Sequence, residues 1–194
     1  MPLPEGIGAI LFSLPTICDV APETIPNASH DNSNLLRLHE DDWRQIEFIA
    51  ASALPQVDRE MAEIERFKRT NWTGAGFKRV YIRKERPDGL YPSRVSCGLI
   101  DSIPHDPMQP LMIGTTGTLQ REQIVKGGFG CRLSPSAFLY GRHSDGMIVD
   151  LGIVRLPKEA DVLQSLLAFC NKSNLCLVDW CAGNVIARPA GQCS

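Results

Sequence analysis

Between residues 42 and 69 the apolar positions recur every three or four residues. Trp43, Ile46, Ile49, Ala50 and Ala53 form one such series, and Val57, Met61 and Ile64 continue it beyond Pro55. This period predicts two consecutive amphipathic helices, or one helix kinked at the proline. Asp42 and Gln45 have the spacing of a capping box, and Glu65 and Arg69 that of an i,i+4 ion pair.

From residue 77 the period falls to two. FKRVYIRKE alternates, and RPDGLYP supplies a turn. Short apolar runs follow, each bounded by Gly, Pro, Asn or Asp: VSCGLI (95–100), LMIGTTGTL (111–119), SAFLYG (136–141) and GMIVDLGIVRL (146–156). They read as strands, with residues 142–145 as a hairpin loop between the last two. A third helix is expected over 157–171, where Leu163, Leu166, Leu167 and Cys170 share a face and Pro157 suits the first turn. LCLVDW and NVIAR close the chain as a hairpin. Ahead of all this, residues 15–34 hold three prolines and many small polar residues and read as a loop. Helices early, strands in hairpin succession, then a helix and a last hairpin make an α+β fold, a mostly antiparallel sheet packed against two or three helices.

Composition bounds the class. A chain of 194 residues with 43% hydrophobic and 22% charged residues is expected to form a single globular domain over 1–194, large enough to need no disulfide or metal staple. No apolar run approaches the roughly 20 residues of a membrane-spanning helix. GIGAILFSL (6–14) follows MPLPE, which carries no Lys or Arg, so it reads as a strand and not as a secretory leader. Seven cysteines, an odd number in no framework spacing, point to free thiols and a cytoplasmic location.

Charge alters the picture more. Residues 1–65 hold twelve acids and three bases, whereas 66–94 hold nine bases and two acids. The acids Asp41, Asp42, Glu60 and Glu63 would steer a basic protein partner toward the helices. The basic stretch interleaves Phe67, Trp72, Phe77, Tyr81 and Tyr91, a composition that can also bind single-stranded nucleic acid. Its bases fall on both faces of the strand, however, and a sequence pI near 6.1 opposes nonspecific nucleic-acid affinity.

Candidate chemistry is sparse. In LCLVDW, Leu175, Leu177 and Asp179 point to one face and Cys176, Val178 and Trp180 to the other. Cys176 and Cys181 would stand about 16 Å apart along an unbroken strand, too far for a disulfide or a shared zinc. Asp179 at the end of an apolar run calls for a partner, either turn amides or an arginine. His143 with Asp145 is the best acid–base pair, and with Asp179 and Trp180 it defines an alternative reading, a ligand or catalytic pocket at the sheet edge. The four histidines lack metal-ligand spacing, and IGTTGT and KGGFG fit no phosphate-loop motif, so no metal and no cofactor is implied. The reading that follows is a non-enzymatic binding protein that docks another protein through its segregated charge. Immunity proteins that neutralise basic toxins share that character, an analogy of physical type alone.

Overall fold

The computed structural model describes residues 11–26, 35–84, 90, 95–114 and 122–189. The fold is α+β. Its main sheet has nine strands, and eight of them lie side by side. In order they are β11 (Asn184–Ala187), β10 (Leu175–Asp179), β4 (Ile46–Ala50), β9 (Met147–Ile153), β8 (Ala137–Ser144), β7 (Glu122–Ser134), β6 (Gln109–Gly114) and β3 (Leu36–His39). The ninth, β2 (Thr24–Pro26), pairs with β7. All contacts are antiparallel except β3 with β6. Two short strands outside this sheet, β1 (Thr16–Cys18) and β5 (Tyr81–Arg83), pair in parallel with each other.

Helix α1 (Leu54–Asn71) covers one face of the sheet and α2 (Ala160–Ser173) the other. Leu54, Val57, Met61 and Ile64 of α1 pack on Ile49, Cys176, Val178 and Trp180. Val162, Leu166, Phe169 and Cys170 of α2 pack on Phe48, Leu175 and Leu177. The alternation expected for β10 is therefore present, and each fully buried aliphatic side chain contributes about 1.5–3 kcal/mol. Among the described residues, no helix is long and apolar enough to cross a membrane.

The first expected helix is not one. After a 3-10 turn at Glu40–Asp42 and a tight turn, residues Ile46–Ala50 form β4. IEFIA is a central strand buried on both faces, so it shows no period-two alternation, and its apolar positions mimic helical spacing. Pro55 does not break a helix; it begins α1, where a missing N–H costs nothing. VSCGLI contributes a 3-10 helix, Cys97–Ser102, and a single bridge from Ser96 to Met147.

Of FKRVYIRKE, Tyr81–Arg83 form β5 and Phe77 makes isolated bridges to Phe12 and Trp72; Glu85 lies outside the described residues. KGGFG lies inside β7, where Gly127 has a φ of +65° and a side chain there would meet the His143 carbonyl at 2.4 Å. Arg142, His143 and Ser144 belong to β8, and the turn is Asp145–Gly146, both at positive φ as a two-residue hairpin requires. The loop expected at 15–34 contains β1 and β2; residues 27–34 lie outside the described ones. Of the strand expected at 6–14, the described part makes one antiparallel bridge, Phe12 to Phe77.

Candidate functional site

β4 carries Glu47 on the face shared with α1, and the sequence gives it no room to escape to water. Its side chain is 6% exposed. Trp180 Nε1 donates to Glu47 Oε1 at 2.7 Å and Arg44 Nε donates to Oε2 at 2.6 Å. Arg83, reaching in from β5, places Nη1 3.6 Å from Oε1 and stacks its guanidinium over the Trp180 ring at 5.0 Å. Arg142 and Asp150 pair on the neighbouring strands.

Burial opposes the charge of both inner arginines, with opposite outcomes. In Arg44 the bonded Glu47 carboxylate, aided by Cys18 and Asp150, overcomes desolvation and raises the guanidinium above its ordinary range. In Arg83 desolvation outweighs the more distant carboxylate and lowers it. Its Nε and Nη2 are buried without a hydrogen-bond partner. Substituting Arg83→Met should therefore change stability by no more than about 1 kcal/mol, because Glu47 keeps Arg44 and Trp180 while two orphaned donors disappear. Urea unfolding of the variant checks this.

The turn before β4 ties this centre to β1. Arg44 adopts a left-handed backbone, φ 57°, and its N–H donates to Tyr140 Oη at 2.6 Å. Gln45 Nε2 donates to the carbonyls of Thr16 and Asp41, both at 2.8 Å, and Gln45 Oε1 accepts from Cys181 Sγ at 3.2 Å. Arg83 from below and Gln45 from the side thus hold β1 and β5 as a strap over the sheet.

The outer side of this strap is apolar. Of the six exposed large hydrophobic side chains among the described residues, Leu11, Phe12, Trp72 and Ile82 gather here. The Phe12 backbone bonds Phe77 in both directions at 2.9 Å, and Trp72 rests on the Phe77 ring at 4.9 Å. One cleft of about 390 Å³ has Phe12, Leu14, Ile17, Val80 and Ile82 in its lining, with Asp41, Lys78 and Arg79. A second, of about 440 Å³, lies between Gln56, Arg59, Glu60 and Glu63 of α1 and Tyr81, Ile82 and Lys84. Ile82, 58% exposed, belongs to both.

Three of the four acids expected to steer a partner are on this face. Asp41 borders the first cleft, 3.6 Å from His39 Nδ1. Glu60 and Glu63 border the second, where Glu63 accepts from Tyr81 Oη at 2.9 Å. Asp42 is half-buried, and burial raises its carboxyl despite the opposing effect of His39. Its carbonyl accepts from Tyr140 Oη at 3.1 Å, so it serves the anchor below. Charge segregated along the chain is interleaved in space: Lys68 pairs with Glu65, Arg83 with Glu47 and Arg188 with Asp58. Among the described residues of the basic stretch, Arg83 is buried while Lys78, Arg79 and Lys84 are exposed. Arg86 and Arg94 lie outside the described residues.

The residues of the alternative pocket are not brought together. Asp179 caps its turn by accepting from the Ala182 N–H at 2.8 Å, and Trp180 lies in the core. Through the pairings Asp179–Ile46, Ile46–Ile153 and Ile153–Leu139, His143 sits three strands away and four residues further along. That is roughly 20 Å. His143 stacks on Phe129, and Asp145 is in the hairpin turn. Inside the sheet, the crevice between β4 and β9 holds about 10 Å³, the space of roughly one water molecule. Among the described residues, no three metal-ligating side chains gather.

The buried thiols Cys131, Cys170 and Cys176 are packing groups of the core. Burial first, with Asp106 adding to it, pushes Cys131 up to about 12; burial with Cys176 nearby does the same for Cys170. Burial pushes Cys176 and Cys181 up to about 11. The unfolded chain releases such protons near pH 8.5. Stability is therefore expected in full only below about pH 8, and to fall as the pH climbs through about 8.5 toward 11–12. Urea midpoints at pH 7.5 and 10 should show the drop, and Cys170→Ala should shrink it.

Sequence reasoning overlooked the centre of this site. The available signal was Glu47 itself, an acid inside IEFIA, which burial obliges to find cations. The fold and site define an α+β sheet protein with a closed ionic centre beneath an open apolar face. No protein-family model, curated protein or solved structure matches the chain.

Proposed function

We propose that this is a non-enzymatic binding protein that docks another protein on the face made by α1, β5 and β1. The observation that carries this reading is the gathering of Leu11, Phe12, Trp72 and Ile82 on one face, beside two clefts framed by charge of both signs. Exposed apolar clusters with polar rims mark interaction surfaces, and aromatic residues are enriched where partners meet. A toxin-neutralising, immunity-type role is the version in which a basic partner loads Asp41, Glu60 and Glu63. Reversing those acids, compared with reversing Lys78 and Arg79, separates it from a partner drawn to the bases.

The test is photo-crosslinking in cells that express the protein. A benzophenone side chain placed at position 72 or 82 should give a discrete protein adduct, and one at Lys172 on α2 should not. Phe12→Asp should abolish the adducts without changing the unfolding midpoint. Adducts absent at both positions, or equally strong at position 172, would refute the reading.

A further inference from the structure

We infer that Cys18 is an oxidation site, and that its sulfinate is held by the guanidinia of Arg83 and Arg44. This stands independently of the docking reading above.

The ionic centre is short of one anion. Arg44 and Arg83 share Glu47, while Arg142 has Asp150. Glu47 and Asp150 are the only buried acids among the described residues, so three guanidinia meet two carboxylates. A buried charge left without its counterpart is costly. The shortfall has a definite place. Arg83, 3% exposed, turns Nη1 toward Glu47 and has no partner for Nε or Nη2. Those two N–H bonds run parallel along one edge of the guanidinium, the edge that grips a two-oxygen anion.

Cys18 is where such an anion can form. It stands opposite Arg83 in the parallel pair of β1 with β5, with backbones about 5 Å apart. Residues so paired send their side chains to the same face, and that of Arg83 goes inward to Glu47. Cys18 follows it, and Arg44 Nη1 lies 3.9 Å from its Sγ. After desolvation and Glu47, a negative charge on Cys18 is the next influence on each of these guanidinia, and it favours their charged form. A diffusing anion has no room here, since the crevice beside Arg44 holds about 10 Å³. An anion built on the half-buried Cys18 needs no such passage.

The oxidant is hydrogen peroxide. The Cys18 sulfur attacks one peroxide oxygen; an S–O bond forms, the O–O bond breaks, and the departing hydroxide takes the thiol proton and leaves as water. The sulfenic sulfur repeats the step on a second peroxide, releasing a second water and a proton and leaving the sulfinate. Sulfur gives up two electrons each time. The two oxygens of the product then meet the two open donors of Arg83, which pins β1 and β5 to the sheet.

Peroxide treatment of the full chain at neutral pH, followed by peptide mass spectrometry, tests this. Cys18 should gain two oxygen atoms at a dose that leaves Cys97, also half-buried, a thiol. The melting temperature should rise by about 3 °C or more, as a charge-assisted bidentate bond implies. The rise should be absent in Cys18→Ser treated alike, which controls for methionine oxidation. It should also vanish in Arg83→Met, and in Arg83→Lys, which keeps the charge but loses the fork. A second measurement needs no oxidant. Cys18→Asp supplies a fixed two-oxygen anion and Cys18→Asn its neutral counterpart. The Asp variant should melt above the Asn variant in the wild-type chain and below it in Arg83→Met. Cys18 left a thiol after Cys97 has reacted, a melting temperature that falls on oxidation, or an Asp–Asn order indifferent to Arg83 would each overturn the inference.

Discussion

Replacing Glu47 with alanine is expected to cost about 3–5 kcal/mol, the loss typical when one member of a buried ion pair is removed. The carboxylate accepts from Arg44 Nε and Trp180 Nε1, and it also faces Arg83. Without it, two guanidinia of 8% and 3% exposure remain charged in the interior, because arginine does not give up its proton there. Such a loss is a large part of the total stability of an ordinary domain. Chemical unfolding of Glu47→Ala beside Arg83→Met measures the asymmetry. Equal costs would show that the centre is held by packing and not by charge.

The second large effect belongs to Tyr140. Its hydroxyl accepts from the Arg44 N–H and donates to the Asp42 carbonyl, fixing both ends of the left-handed turn that leads into β4. Tyr140→Phe strands a buried donor and an acceptor, and about 1–3 kcal/mol should be lost. Gly152 opposite leaves the space that the hydroxyl fills, since a side chain there would lie 2.6 Å from Tyr140 Oη. The ring alone would not use that space. Faster exchange of the Arg44 amide should accompany the loss; a change below about 0.5 kcal/mol would mean that water substitutes for the hydroxyl.

These positions show what the sequence made legible and what it hid. The two faces of β10 follow from spacing and from the turn signals that bound its short apolar run. For α2 the expected stripe is right at Leu166 and Cys170, but the buried face turns toward Val162 and Phe169 and leaves Leu163 and Leu167 half-buried. β4, buried on both faces like β10, was illegible because IEFIA follows the Asp42 and Gln45 spacing of a capping box and its apolar positions run on into the helical series of α1. The acids Asp41, Glu60 and Glu63 were visible as charge, and they do border the clefts. The clefts themselves were not visible, because Phe12 and Ile82 are 70 residues apart and become neighbours only through pairing of β1 with β5. Glu47 was visible as an oddity, but its partners at 44, 83 and 180 come from three separate parts of the chain.

The separateness of β1 and β5 from the main sheet has a thermodynamic consequence. A pair of three-residue strands is not stable alone, and it can lift away without breaking any bond of the nine-stranded ladder. Ligand affinity measured on this face then equals the intrinsic affinity scaled by the fraction of molecules in which the pair is seated. Variants deep in the interior, such as Glu47→Ala, would weaken association by that fraction while touching no partner atom, and a tight ligand would in return raise the melting temperature of the entire molecule.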